Sequence, residues 1–364
     1  MFTSFTLKNF RCFRELQIEP LERINLIAGE NNTGKTALLE AIFLHLGPNN
    51  PELTLRLNAW RGIEQSNVDA EEIWGWLFLG RHIDATIEIL GMYSGRCGEQ
   101  QNTLQIHLEE PEEARLVPNK ETDQPSSISR SLTTAPSWRE LAWKFQDTIG
   151  QSWTSRISLS SAGMKVSQAH LPPPPSGPGP LPGRFLTTRA RFPKEDVECF
   201  SKLEQIGRQD EVLAPLKFLE PRLCRLAVLA TSGVPFIHGD IGIGRLVPLP
   251  MMGEGIVRLL SMVLAIANAP GGTVLIDEIE NGLHHSVLVP VWQALAQAAR
   301  QADVQIFATT HSYECITAAH EAFATSDIYD MRLHRLERVG EDIKVITYDQ
   351  ESLDISLENN WEIR

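Results

Sequence analysis

The sequence predicts an α/β fold: a mixed sheet built from both ends of the chain, an antiparallel β subdomain, and a helical, irregular insertion between the ends. Three observations carry this. An apolar run, Ile24 to Ala28, passes through a glycine-rich turn into an apolar helix. From residue 246 onward, short apolar strands alternate with helices, the pattern of a sheet with parallel strands covered on both faces. The long stretch between these ends lacks that alternation.

Taken in order, residues 2–8, 15–19 and 24–28 read as three short strands. Helix Ala37 to Leu46 follows, with Leu38, Leu39, Ile42, Phe43 and Leu46 on one face. The polar Gly47-Pro48-Asn49-Asn50 opens a less regular region. Ala85 to Leu90 and Leu104 to Leu108 alternate with period two, as antiparallel strands do. Residues 110–135 are polar and weakly patterned and read as loop. Residues 137–147, with three aromatic positions, read as a helix. Leu171 to Gly183 is proline-rich, so it is neither helix interior nor central strand. It reads as a semi-rigid spacer or exposed loop, or as a docking peptide for another domain. Lys194 to Gly207 and Asp210 to Leu219 read as helices ending at Pro221. The α/β end then runs as helix 255–268, strand Thr273 to Ile276, helix 284–301, strand Val304 to Ala308 and helix 312–323. A hairpin of Met331–Arg338 and Ile343–Tyr348 turns around Gly340.

With 364 residues and 42% hydrophobic content, the chain can fill its core without cross-links. Its five cysteines are scattered and show no metal-ligand spacing, which suits reduced thiols in a cytoplasm. No apolar stretch of about 18 residues predicts a membrane span, and the N-terminus alternates like a strand rather than carrying a signal peptide's apolar block. A net charge of −13 argues against non-specific nucleic-acid binding by the whole surface.

Gly29-Glu30-Asn31-Asn32-Thr33-Gly34-Lys35-Thr36 fits G-x-x-x-x-G-K-[ST], the P-loop of P-loop NTPases, and Ala37 continues it into the helix. Strand, loop and helix must follow in that order. Only then do consecutive backbone N–H groups and a helix N-terminus point at one phosphate. Lys35 would reach the β- and γ-phosphates, and the Thr36 hydroxyl would ligate Mg²⁺.

Thr273-Val274-Leu275-Ile276-Asp277-Glu278 is an apolar strand ending in two acids, the Walker B arrangement. Asp277 would hold Mg²⁺ beside Thr36, and Glu278 would polarise the attacking water as general base. A further apolar strand ends at His311, where ligands bind in α/β sheets; the imidazole there would hydrogen-bond the γ-phosphate. Thr310 and Ser312 read as helix caps. Gly253-Glu254-Gly255 opens an apolar helix whose amides would hold a phosphate, or it makes an ordinary glycine turn.

Together these segments resemble the ABC-type ATPase heads of the RecF, SMC and OLD group, as small AAA_15/AAA_21-like ATPases without coiled-coil arms or a Toprim domain. Leu7-Lys8-Asn9-Phe10-Arg11-Cys12-Phe13 resembles their opening strand and turn. Met252 to Leu259 takes the place of the ABC signature, Glu280-Asn281-Gly282-Leu283-His284 of the D-loop, and Thr309-Thr310-His311-Ser312 of the switch histidine. The resemblance covers about residues 1–46 and 246–350. It implies an ABC-ATPase-like mixed sheet and hydrolysis of ATP with Mg²⁺. It also implies a head-to-tail homodimer, in which Gly253, Glu254 and Gly255 of one copy close over the nucleotide of the other. Arg11 would sit near the base or phosphates, and Glu280 and Asn281 would cross the dimer contact. Gly253 stands where the signature usually offers serine. The chain ends at Arg364 without room for a Toprim nuclease, so if nuclease action belongs to this system, a separate effector protein would supply it. No Q-loop glutamine is evident; Gln101, Gln105, Gln146 and Gln151 are candidates.

The expected division is 1–50 and 246–364 as the two parts of the ATPase head and 51–245 as strands plus insertion. The leading functional expectation is a cytoplasmic, ATP-driven dimerising switch controlling a partner effector, such as a Toprim-type nuclease in anti-phage defence. The alternatives are a RecF-like ATPase clamping DNA, with Arg184, Arg189, Arg191 and Lys194 as a basic cluster, and a nucleotide-sensing scaffold with little turnover.

Overall fold

The computed structural model describes residues 1–63, 70–95, 98–110, 139–160, 163–169, 182–188, 193–231 and 233–364. Two large sheets face each other across one helix. The first has seven antiparallel strands: β1 (Phe2–Phe10), β2 (Phe13–Ile18), β4 (Ile87–Gly95), β5 (Gly98–Glu109), β6 (Glu140–Gln146), β7 (Ser152–Ser160) and β8 (Gly163–Ala169), in the order β2-β1-β4-β5-β6-β7-β8. The second has six: β3 (Ile24–Gly29), β9 (Gly183–Leu186), β13 (Thr273–Ile276), β14 (Gln305–Thr309), β15 (Met331–Val339) and β16 (Asp342–Tyr348), in the order β16-β15-β3-β14-β13-β9. All its pairings are parallel except the β15–β16 hairpin. A small sheet joins β10 (Arg225–Thr231), β11 (Val234–Asp240) and β12 (Val247–Pro248).

The six-stranded sheet divides the apolar interior by period two. Ile24, Leu26, Ala28, Val274, Ile276, Ile306 and Ala308 face one core. There they meet α4 (Pro193–Gln205), α5 (Asp210–Leu216), α6 (Glu254–Ala267), α7 (Leu288–Ala302), α8 (Tyr313–Ala324) and α9 (Gln350–Glu358). Ile27, Leu275 and Phe307 face the other core, which also holds α1 (Lys35–Leu46) and the inner face of the seven-stranded sheet, including Phe5, Leu7, Ile89, Leu104 and Trp143. Two short helices, α2 (Leu53–Trp60) and α3 (Ala70–Trp74), pack at its side.

Two expectations are corrected. The segment read as a helix over 137–147 is a strand at 140–146: Leu141, Trp143 and Phe145 are buried at spacing two, and β6 pairs with both β5 and β7. Its aromatics follow the strand period once neighbours on both sides supply the ladder. Helix α1 is not buried on one face only; every residue from Ala37 to Leu46 is buried, because sheets cover it on both sides. The strands read at the start and the α/β alternation after residue 246 lie where expected. Strand β9, the small sheet, β7, β8 and helix α9 were not foreseen. Residues 110–135 lie, beyond Glu110, outside the described residues, as does the proline segment up to Leu181.

Candidate nucleotide site

Three neighbouring parallel strands, β3, β14 and β13, end side by side. Their register sets Ile27 opposite Thr309 and Ile276 opposite Ala308. Their carboxyl ends therefore deliver the Gly29–Thr36 loop, Thr309-Thr310-His311 and Asp277-Glu278 to one edge of the sheet.

The loop is shaped by its contacts. Thr33 donates its hydroxyl to the Glu30 carbonyl at 2.8 Å. Gly34 has φ 93°, and a Cβ there would fall 2.6 Å from the Phe13 ring and 2.7 Å from Cys12 Sγ. Only glycine meets both demands. The β1–β2 turn is thus packed directly on the loop. Lys35 Nζ donates to the Gly29 and Glu30 carbonyls at 2.6 and 2.9 Å. Burial lowers its pKa from the ordinary lysine value, while the charges of Asp277, Glu278 and Glu280 act to raise it. All three acids therefore share its electrostatic surroundings.

Thr36 Oγ1 donates to the Asp277 carboxylate, 3.0 Å from Oδ1 and 3.2 Å from Oδ2. This contact joins residues 241 positions apart. Thr309 donates to Asp277 Oδ1 at 2.7 Å and accepts the Glu278 amide at 2.8 Å. Glu278 itself sits at φ 47°, in the left-handed region, between buried Asp277 and buried Ile279. Arg258, buried on α6, donates to the Asp277 carbonyl at 2.7 Å and the Thr187 carbonyl at 3.3 Å.

The His311 amide donates to Glu280 Oε1 at 3.0 Å, and its Nδ1 lies 3.3 Å from the same oxygen. The ring is half-exposed at the strand end. Ser312 caps α8, accepting the Cys315 amide at 3.1 Å. Arg11 lies on the turn beside the loop, with its guanidinium held by buried Glu40 of α1; Arg61 holds the other Glu40 oxygen at 2.8 Å. Burial lowers the Arg11 pKa and Glu40 raises it. Gly253, Glu254 and Gly255 begin α6 against the Gly282-Leu283 turn of the same chain, with the Cβ position of Gly255 2.8 Å from the Gly282 carbonyl.

The four candidate glutamines stand elsewhere. Gln101, Gln105 and Gln146 are on the antiparallel strands β5 and β6, and Gln151 immediately precedes β7. Thr309, Arg258, Glu40 and Arg61 are the residues that sequence reasoning missed. Thr309 lay inside a motif read for its histidine, and Arg258 lay inside an apolar helix, where a lone charge was the available signal.

The donor set suits magnesium. Among the described residues no group of three His, Cys, Asp or Glu side chains could hold a metal by itself. A hydroxyl beside one carboxylate matches an ion that takes few protein ligands and completes its octahedron with substrate phosphates and water.

Parallel strands ending in a P-loop, a paired-acid turn and a histidine define a P-loop NTPase of ABC-head architecture. The AAA_21 family model, described as "AAA domain, putative AbiEii toxin, Type IV TA system", matches residues 24–316. The chain belongs to this AAA domain family. It is 24% identical over 392 aligned positions to a Helicobacter pylori protein named ATP/GTP phosphatase, covering 99% of this chain and 98% of the relative. A 41-residue stretch is 49% identical to the DNA replication and repair protein RecF of Idiomarina loihiensis, covering 11% of this chain and 12% of RecF. In fold it is similar to an SMC head solved bound to the C-winged helix domain of ScpA. There the TM-score is 0.53 and the identity 12%, over 97% of this chain and 99% of that one. No helix among the described residues is long and apolar enough to cross a membrane.

Proposed function

We propose that this protein binds ATP with Mg²⁺ at the Gly29–Ala37 loop, hydrolyses it, and uses the cycle to join and separate two copies head to tail. The Thr36–Asp277 hydrogen bond carries this reading, because it unites the P-loop with the paired acids at one point. The amides of Gly29 to Thr36 would cradle the phosphates. Lys35 would leave its loop carbonyls for the β- and γ-phosphates. Thr36 and Asp277 would hold Mg²⁺, which when bound neutralises phosphate charge and aligns the phosphates. Glu278 would take a proton from the attacking water as the new P–O bond forms and the bond to ADP breaks. His311, steadied by Glu280, would hydrogen-bond the γ-phosphate and so register its presence. Arg11 would flank the nucleotide from the β1–β2 turn.

Gly253, Glu254 and Gly255 would complete the partner's site, with the α6 N-terminus facing its γ-phosphate. In this reading 1–50 and 246–364 form the head and 51–245 the inserted part. The switch would control a separate effector, for which a Toprim-type nuclease in anti-phage defence is the proposed case, in the cytoplasm. The test is ATP turnover and light scattering of the purified protein, with and without Lys35→Ala. Wild-type turnover with an ATP-dependent dimer, both lost in the variant, is the expected result. Turnover unaffected by the substitution refutes it.

RecF similarity favours a second reading, in which the dimer clamps DNA. Of its proposed basic cluster, Arg184 and Lys194 are described and Arg189 and Arg191 are not. Salt-dependent duplex binding, lost on neutralising all four, would support it.

A further inference from the structure

Among the described residues, the six-stranded sheet ends at β9. The Thr273 amide donates to the Pro182 carbonyl at 2.8 Å and the Asp277 amide to the Leu186 carbonyl at 2.9 Å. Alternation along a parallel ladder then turns the main-chain groups of Arg184 and Leu186 toward β13, and those of Gly183 and Phe185 outward. Among the described residues none hydrogen-bonds these outward groups. All four β9 residues are part-exposed, whereas β3, β13 and β14 are buried throughout.

A cavity of about 410 Å³ runs along this edge, between the P-loop helix and the signature helix. One wall is aromatic. Phe43 of α1 and Trp60 of α2 pack on the Phe185 ring, with centroids 5.6 and 5.3 Å away. The opposite wall carries two acids beside Arg184. Glu195 and Asp196 stand on α4, and the Ser261 hydroxyl of α6 donates to Asp196 at 2.7 Å. Neither acid forms an ion pair with a described residue. Burial raises the Asp196 pKa to about 6, so its carboxylate still carries charge at neutral pH.

We propose that this slot accepts an extended segment of a partner polypeptide as an added strand, with apolar or aromatic residues alternating with a basic one. Main-chain bonds to Gly183 and Phe185 would supply affinity, and the two walls would supply selectivity. Successive side chains of a strand point to opposite faces. One set would therefore meet Phe43 and Trp60, and the other Glu195 and Asp196. Arg56 and Arg184 also line the slot, so one basic residue opposite the acids suits it better than a uniformly basic segment. Because the slot touches both α1 and α6, its occupancy would alter ATP turnover; that consequence alone rests on the ATPase reading.

The probe is a capped nine-residue peptide alternating phenylalanine and valine with threonine, with lysine at its centre, titrated onto the full chain by fluorescence anisotropy. Binding is expected to weaken at least tenfold on N-methylating the amides that face the edge. Replacing the peptide lysine by glutamate, or making Asp196→Asn with Glu195→Gln in the protein, should weaken it equally. Lys35→Ala should bind the peptide like wild type, which separates a failure here from a failure of the nucleotide assignment. Amide exchange provides the second readout: the Gly183 and Phe185 amides exchange fast in the free protein and slow with peptide. Absent binding, or binding indifferent to N-methylation or to the two acids, overturns the proposal. So does protection already present in the dilute free protein, which would mean that the chain covers its own edge. Protection appearing only as protein concentration rises, which would make a second copy the occupant, overturns it as well.

Discussion

Arg258 on α6 donates to the main-chain carbonyl of Asp277 at 2.7 Å. The helix that opens at Gly253-Glu254-Gly255 is thereby tied, inside one molecule, to the turn that carries the paired acids. A buried guanidinium holds that turn through its backbone, while the Asp277 carboxylate takes the Thr36 and Thr309 hydroxyls. Arg258→Met should leave the carbonyls short of a donor, at a cost of about 1–3 kcal/mol in stability. Turnover should fall at least tenfold while ATP affinity changes little, with Arg258→Lys restoring part of it. Steady-state kinetics separating kcat from KM, beside urea unfolding, would check this. A variant impaired only in stability would reduce Arg258 to a structural role.

Lys35→Ala should reduce ATP affinity at least tenfold and leave the fold intact. The lysine makes two bonds in this structure, both to carbonyls of its own loop, so little else depends on it. Titration with a fluorescent ATP analogue measures the effect, and circular dichroism controls for folding. Undiminished affinity would remove the loop from the proposed site.

Glu278→Gln should retain nucleotide binding and lower turnover by about 10²–10⁴-fold, the range of a lost general base. The ATP-bound dimer should then accumulate. The amide keeps the side chain's size, and the Glu278 backbone contact to Thr309 is untouched. Single-turnover hydrolysis with light scattering reports both effects; ordinary turnover would sink the assignment.

An interface test at Gly255 would mislead. A Cβ there lies 2.8 Å from the Gly282 carbonyl of the same chain, so Gly255→Asp would disturb the D-loop whatever the partner does. Met251 is the better site: it precedes the signature and is 80% exposed. Met251→Asp should leave monomer ATP binding within about twofold, since a surface change seldom moves a remote site, and abolish the ATP-dependent dimer. A dimer that persists would place the contact elsewhere.

His45 supplies a pH test of the packing behind the loop. Its Nε2 donates to the Asn102 carbonyl at 3.1 Å and its Nδ1 accepts from the Tyr93 hydroxyl at 3.2 Å. Burial lowers its pKa from 6.5 to about 4. The native ring stays neutral in that window while the unfolded ring takes a proton. Its contribution to stability is therefore complete above pH 6.5 and is lost as pH falls toward 4. By pH 5 the loss is about 2 kcal/mol. Urea unfolding of wild type and His45→Gln at pH 7.5 and 5.0 should show the difference between them shrinking by that amount.

The amino-acid order alone determined the P-loop, the paired acids, the strand that leads to His311, and the α/β alternation after residue 246. These are local: a glycine spacing, an apolar run of strand length and a charge at its end are all written within ten residues or so. Only the tertiary structure decided that α1 lies between two sheets, that 140–146 joins an antiparallel ladder, and that Gly183–Leu186 forms the sheet's edge. It alone set Thr309 and Arg258 around Asp277 and Glu40 between Arg11 and Arg61. Each of these depends on partners far along the chain. A side chain's periodicity shows that it will be buried. What buries it, and which distant donor reaches a given carboxylate, is settled only when the strands take their neighbours.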